Sequence, residues 1–381
     1  MKSITAEWIT NKDTQRVCRM LTNAGYDCYF VGGCVRNTLL NAPVNDIDIA
    51  TNALPDQVMD LAKSTGLKAV PTGIDHGTIT VIASGAPFEI TTYRRDVETD
   101  GRRAVVAFSD NITDDARRRD FTMNALYADS NGTITDPLNG MPDLLAHRVR
   151  FIEGAECRVQ EDYLRIMRFF RFHAWYGDTS AGLDAEALAA CAANLAGLET
   201  ISKERIGSEL KKLLSAHDPA PSIASMAASG VLNAILPGAD AKYLSVLIHL
   251  EQGIRPDPIR RLAALGGADV KASLRLSKTE ARNLWKLRED IGSSRQPAEL
   301  GYRLGAGLAR DVIFLRAALL EMPLDPDATS QARNGAKATF PVTAVDLMPT
   351  YQGVALGQKL SDLEAKWIKS GFVLSKEQIL A

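Results

Sequence analysis

The chain has 381 residues, 46% of them hydrophobic and 24% charged, with a formal net charge of -2. That length exceeds one compact core and argues for two or more domains, while the near-neutral charge excludes wholesale wrapping of nucleic acid but not a local basic face. Five cysteines without a C-x-x-C pair exclude a zinc site and a disulfide framework and point to a reducing, cytoplasmic setting.

No apolar run reaches membrane-spanning length, and the opening Met1 to Trp8 carries charge early and has no apolar signal region. Trp8, Val17 and Leu21 at helical spacing predict a helix over 5–24, closed by Gly25. Tyr29 to Val31 reads as a short buried strand, followed by Gly32-Gly33, a helix over 35–40, a turn at Pro43 and a second strand carrying Asp46 and Asp48. Bare N–H groups at such a strand-to-helix junction receive phosphate oxygens. Carboxylates two apart on a strand face the same way, and a divalent cation such as Mg²⁺ relieves their repulsion.

A helix over 54–62 with Pro55 at its start comes next, then strands over 68–71, 78–83 and 88–93 separated by turns. Alternation in the last strand sets Glu89 opposite Phe88 and Ile90. From 94 to 119 the chain is charged and irregular, with a mobile loop expected at Asp100-Gly-Arg-Arg103. A helix resuming at Arg118 leads into a strand, and Asn131-Gly132 forms a hairpin turn before Ile134. Beyond Ala155 the strand signal nearly vanishes. Helices are expected over 184–196 (capped by Asp184), 203–216, 222–236 and much of 242–320, and 323–340 reads as a linker or surface loop. The architecture is α+β, followed by an all-helical remainder.

An isolated Asp-x-Asp is most often a solvated turn pair. Here it closely follows Gly-Gly-x-x-Arg, and Glu89 offers a third carboxylate, although alone it reads equally well as an exposed strand residue. Three carboxylates on neighbouring strands suit a two-metal site that activates a hydroxyl and neutralises a leaving pyrophosphate. Arg36, one turn past the glycines, has the guanidinium geometry for a triphosphate. Farther on, Asp162, Arg165, Arg168 and Arg171 recur every three residues and form one polar helical stripe; the plain reading is an amphipathic helix with ion pairs. Base chemistry sharpens it. Cytosine and adenine both show an amino donor beside a ring-nitrogen acceptor, so Asp162 accepting and Arg165 donating would take both bases. Uracil and guanine present the reverse order and would leave the pair unsatisfied.

Four segments now stand together: Val31-Gly-Gly-Cys-Val-Arg36; Asn45-Asp-Ile-Asp-Ile-Ala-Thr51; Arg118-Arg-Asp-Phe-Thr-Met-Asn-Ala125 with Asp136-Pro-x-x-Gly140; and Glu161-Asp-x-x-Arg165. In these the chain resembles the class II tRNA nucleotidyltransferases (CCA-adding enzymes) and the related bacterial poly(A) polymerases, strongly over 30–173 and weakly to the end. The resemblance implies a polymerase-β-like nucleotidyltransferase head with a mixed sheet (1–150), then a helical neck carrying the nucleotide-selecting template (151–216), a helical body (217–290) and a helical tail contacting tRNA (291–381). It implies Mg²⁺ on Asp46 and Asp48 with Glu89 as third carboxylate, and triphosphate contacts from Gly32, Gly33 and Arg36. Arg119 would touch the nucleotide, Asp120 and Asn124 the ribose, Asp162 and Arg165 the base, and Arg168 and Arg171 further parts of the nucleotide. The implied reaction adds C, C and A to tRNA from CTP and ATP, with the Asp100 to Arg103 loop helping the switch from C to A. The alternatives within the resemblance are a poly(A) polymerase and an A-only or CC-only enzyme; a non-catalytic RNA-binding relative would require a lost carboxylate. Three departures from the family's pattern stand out. Asn37 replaces the usual Asp after Arg36, and Thr343-Ala-Val-Asp346 replaces Thr-Gly-x-Asp. His217-Asp218, which could suggest a phosphohydrolase domain, reads as a loop dipeptide.

Overall fold

The computed structural model describes residues 2–100, 103–348 and 350–381. Two short helices, α1 (Glu7–Thr10) and α2 (Lys12–Thr22), open the chain, split at Asn11, whose side chain accepts the Asp13 N–H and caps α2. They precede β1 (Tyr29–Val31), α3 (Gly33–Leu39), β2 (Asp48–Thr51), α4 (Pro55–Ser64), β3 (Lys68–Gly73), β4 (Thr78–Ala83) and β5 (Ala86–Thr92). Pro55 occupies the first turn of α4, where its missing N–H costs nothing. With β8 (Tyr127–Ala128) and β9 (Ile134–Thr135), these strands form one seven-stranded mixed sheet in the order β3-β4-β5-β2-β1-β8-β9. All its neighbours are antiparallel except β2 and β5, which run parallel with Asp48 directly opposite Glu89.

Several expectations change. Asp46 lies ahead of β2, which starts only at Asp48, so the two aspartates are not paired on one strand face. The charged stretch after Tyr93 is a ribbon, β6 (Arg94–Asp100) against β7 (Arg103–Phe108), rather than irregular chain. Alternating Val and Thr favour the extended form there more than the charges oppose it. The expected loop falls between β6 and β7, where Gly101 and Arg102 lie outside the described residues. Helix α5 (Ile112–Arg117) ends before Arg118, and Arg118 to Ala125 makes a tight turn with one 3₁₀ segment, Thr122–Asn124, instead of a helix. Asp120 and Asn124 bond locally there, the usual way such side chains compete with helix.

Helix α6 (Met141–Leu145) follows β9. The segment expected as one helix around Asp162 is broken into α7 (Ala155–Glu161) and α8 (Leu164–Tyr176), with Asp162 extended between them. The Asp162 carboxylate accepts the Leu164 N–H (3.1 Å) and so starts α8 afresh. Phe121, Phe151, Phe169 and Phe172 stack together beneath, with ring centroids 4.8 to 6.5 Å apart. Each buried ring of this kind is worth roughly 1.5–3 kcal/mol. Asp184 caps α9 (Ala185–Ala193) as expected, and α10 (Lys203–Leu214) comes after a 3₁₀ turn. The helix expected over 222–236 is two, α11 (Ala220–Ala228) and α12 (Val231–Ile235), interrupted at Gly230 with φ +81°.

Residues 1–213 and 221–235 form one compact unit, and 214–220 with 236–381 a second. Among the described residues the second unit holds helices and no strand beyond one isolated bridge, Ala239 to Gly266. At its heart Arg260 and Arg261, both buried, bond Glu251, and Arg260 also bonds Asp311 (2.8 Å). The stretch over 323–340 is not merely a linker. It holds a helix, Ala328–Gly335, seated on Pro297–Leu304 so closely that a Cβ on Gly335 would stand 1.9 Å from the Ala298 carbonyl oxygen. Asp346 closes a capping box with Thr343 and pairs Lys376, and His217-Asp218 lies in a turn. Among the described residues, no helix is long and apolar enough to cross a membrane.

Candidate active site

The first unit encloses a polar cavity of about 330 Å³ lined by Gly32, Gly33, Arg36, Asp48, Arg119, Asp120, Asn124, Asp162, Arg165, Arg168 and Phe172. Its floor begins where β1 ends. Gly32 has φ +71°, a conformation costly to any residue with a Cβ. A Cβ there would also come within 3.5 Å of the Arg119 guanidinium.

Arg36, buried on α3, is held on every side. Its Nη1 bonds Asn124 Oδ1, its Nη2 donates to Tyr176 Oη (2.9 Å) and Asn37 Oδ1 (2.9 Å), and its guanidinium lies 4.2 Å over the Tyr176 ring. Asn37 therefore still orients Arg36 despite lacking a charge, and its own amide donates to the Pro43 carbonyl (2.7 Å). Asn124 Nδ2 donates to Asp120 Oδ1 (2.8 Å), and Asp120 in turn receives Arg168 (Nε, 2.7 Å). Burial opposes the Asp120 charge, but Arg168 and the amide bonds outweigh it and keep the carboxyl well below the usual carboxylate range.

Arg119 is fixed from below. Its Nη2 donates to Asp115 Oδ2 (2.8 Å) and its Nε to Tyr127 Oη (3.2 Å), while the Tyr127 hydroxyl donates to the same Asp115 oxygen (2.8 Å). Asp115 is fully buried; burial resists its ionisation, yet Arg119 and Arg118 prevail and depress its pKa strongly. On the facing side, Asp162 Oδ2 takes Arg205 (3.0 Å), and Arg165 is bound by Glu161 and by the Arg158 carbonyl (2.8 Å).

The carboxylates are arranged differently. Asp48 lines the cavity, whereas Glu89, opposite it on β5, and Asp46, ahead of β2, are exposed and outside the lining. Burial, then Glu89, pushes the Asp48 carboxyl up to about 6. Among the described residues no three His, Cys, Asp or Glu side chains form a metal cluster, although Asp48 lies opposite Glu89 and feels the charges of both Glu89 and Asp46. The donor set still fits a hard divalent cation: it offers only oxygens, and such an ion would offset both the burial and the Glu89 charge that raise Asp48. Arg171 also lies outside the lining; its Nε donates to Glu209 (2.5 Å). Sequence reasoning missed Asp115, Glu161, Tyr127, Tyr176 and Arg205. The first two carried a readable signal, four residues ahead of Arg119 and Arg165 at helical spacing. The other three act through tertiary contacts that no spacing announces.

Residues 28–150 match the family model described as the poly A polymerase head domain, and residues 182–243 match that of the probable RNA and SrmB-binding site of polymerase A. The chain is 33% identical over 379 residues to CCA tRNA nucleotidyltransferase 1, mitochondrial, of Mus musculus, covering 95% of this chain and 87% of that one. It is 38% identical over 283 residues to the CCA-adding enzyme of Leuconostoc citreum, covering 73% and 68% respectively. The crystal structure of the Bacillus stearothermophilus CCA-adding enzyme in complex with CTP superposes with a TM-score of 0.78 at 28% identity, over 97% of this chain and 95% of that one. With the mixed-sheet head, the helical remainder and the cavity between Gly32 and Arg168, these likenesses establish that the chain belongs to the class II CCA-adding family of tRNA nucleotidyltransferases.

Proposed function

We propose that this chain adds C, C and A to the 3′ end of tRNA from CTP and ATP, releasing pyrophosphate. The supporting observation is one cavity in which a glycine junction, Arg36, Asp48 and Arg119 stand with the Asp162 and Arg165 pair. In this reading Gly32, Gly33 and Arg36 receive the triphosphate. Arg119, stiffened by Asp115 and Tyr127, contacts the nucleotide; Asp120 and Asn124 hold the ribose; and Arg168 adds a cation to the same wall. Asp162 accepts the exocyclic amine of cytosine or adenine and Arg165 donates to the ring nitrogen, so one pair serves both bases. Arg171 contributes from outside the cavity. The family depends on Mg²⁺, and Asp46 and Asp48 would hold it, with Glu89 beside them. Activation of the attacking hydroxyl and neutralisation of the leaving pyrophosphate are the chemistry a divalent ion supplies at such carboxylates.

We assign 1–150 to the head, 151–216 to the neck, 217–290 to the body and 291–381 to a tail that contacts tRNA. The five cysteines carry no disulfide, which supports a cytoplasmic setting. Base selection tests the reading. Wild-type protein should incorporate C and A and discriminate against U by several orders of magnitude. Asp162→Ala should lower the preference for CTP over UTP roughly a hundredfold or more, while Asp48→Ala should abolish all addition. Unchanged base preference in Asp162→Ala would remove that residue from selection.

A further inference from the structure

A second cavity, about 700 Å³, opens on the other side of Arg36 and Tyr176. Trp175, Tyr176, Lys212, His147, Asn37 and Asn45 line it, and Arg171 joins them. Of its lining only Arg171 has been given a nucleotide contact above, and the cavity borders the proposed site at three points. Asn37 and Tyr176 both bond Arg36, and Asn45 directly precedes Asp46.

The side chains around it form a built surface. Trp175 stands 48% exposed, unusual for an indole. Its Nε1 donates to the Lys212 carbonyl (2.8 Å), which fixes the ring and satisfies its only polar atom. His147 is anchored likewise, Nδ1–H donating to the Tyr176 carbonyl (3.0 Å), which leaves Nε2 for a ligand. The Lys212 side chain is 58% exposed. Glu209, behind this wall, partners both Arg171 and Lys212 (2.5 and 3.5 Å), so it offsets part of their charge, but the lining itself contains no acidic residue. A fixed, half-exposed indole beside cations and amide donors suits a nucleobase stacked on the ring with its phosphate on the cations.

We infer that this cavity holds the nucleotide just behind the reacting 3′ end of the RNA, its base stacked on Trp175 and its phosphate facing Lys212. The inference rests on the proposed function, in which the triphosphate fills the glycine side of Arg36 and the hydroxyl approaches Asp46 and Asp48, the residues that would hold the metal. The 37–45 connection, one wall of the second cavity, runs straight into that aspartate, so an RNA strand lying along it delivers its end to the carboxylates. A free nucleoside triphosphate is the other source of the same chemistry. The position beside Asn45, rather than beside the glycine junction, favours the strand.

Two measurements on the full chain decide it. The first is direct binding of a tRNA transcript lacking its terminal A, followed by fluorescence anisotropy of a dye on the transcript's 5′ end; this needs no catalysis. Trp175→Ala should weaken binding about tenfold, Trp175→Phe should recover most of it, and Lys212→Gln should weaken it and flatten its salt dependence. The second is steady-state addition, where Trp175→Ala should raise KM for the transcript and leave KM for ATP unchanged. A rise in KM for ATP with unaltered RNA binding would overturn the inference in favour of a free-nucleotide site. Unaltered RNA binding and unaltered KM values in a folded Trp175→Ala protein would overturn it altogether. If the wild-type protein binds the transcript but adds nothing, the proposed function fails while the anisotropy series still judges the cavity.

Discussion

The residues that would touch a nucleotide are held by residues that would not. Arg119 depends on Asp115 and Tyr127, Arg165 on Glu161, Asp162 on Arg205, and Arg36 on Asn37 and Tyr176. Such bonding keeps guanidiniums in place before substrate arrives, so less ordering cost falls on binding. It also makes stability depend on pH in a predictable direction. Asp115 and Asp120 have folded-state pKa values below their unfolded ones. The stabilisation they contribute is fully present above the unfolded value of about 4 and is lost as pH falls below it toward the folded values. Thermal melts should therefore hold above about pH 4 and fall progressively as pH drops below it. Asp115→Asn should lower stability by about 3 kcal/mol at pH 7, because it leaves two arginines facing a buried amide, and should flatten that acid limb. An Asp115→Asn protein with the wild-type acid slope would show that other carboxylates control it.

At the scale of elements, the ribbon β6–β7 and the glycine-tight helix pair carry the clearest consequences. The Asp100 to Arg103 segment is our proposal for the piece that helps the site pass from C to A. Exchanging it for glycines should spare C addition and weaken A addition at least tenfold in single-turnover assays; equal loss of both would refute the switch. In the second unit, Gly335→Ala drives a Cβ onto the Ala298 carbonyl, a backbone atom that cannot swing away. A cost of about 1–3 kcal/mol should appear in chemical denaturation, the range for overpacked sites. A neutral result would mean the two helices slide apart without penalty.

These elements also show what could be read beforehand. Strands β1 and β4 were legible nearly to the residue, because short β-branched or aromatic runs between turn residues have few alternatives. The start of α4 was legible from Pro55. Asp162 was misplaced on a helix because its periodicity fits one; the break comes at its extended backbone, where its carboxylate accepts the Leu164 N–H and bonds Arg205 forty-three residues away. The helix at Ala328–Gly335 was hidden because Gly, Asn and Ser read as loop, while its stability comes from close packing on Pro297–Leu304. Local chemistry could be read; tertiary bonding could not.

For the whole molecule, the sheet-bearing unit holds the candidate site, and the helical second unit is held inside by Arg260, Arg261, Glu251 and Asp311; a surface on it for the rest of the RNA is our proposal. The formal charge of -2 fits a protein that grips a folded RNA locally rather than coating a long one. Three tRNA transcripts, ending before the CCA, after the first C and after the second C, each incubated with one nucleoside triphosphate at a time and Mg²⁺, test the central claim. The first two should gain C from CTP alone, the third should gain a single A from ATP alone, and none should accept U or G. Addition of A to every transcript, or long A tails on RNA that is not tRNA, would contradict it.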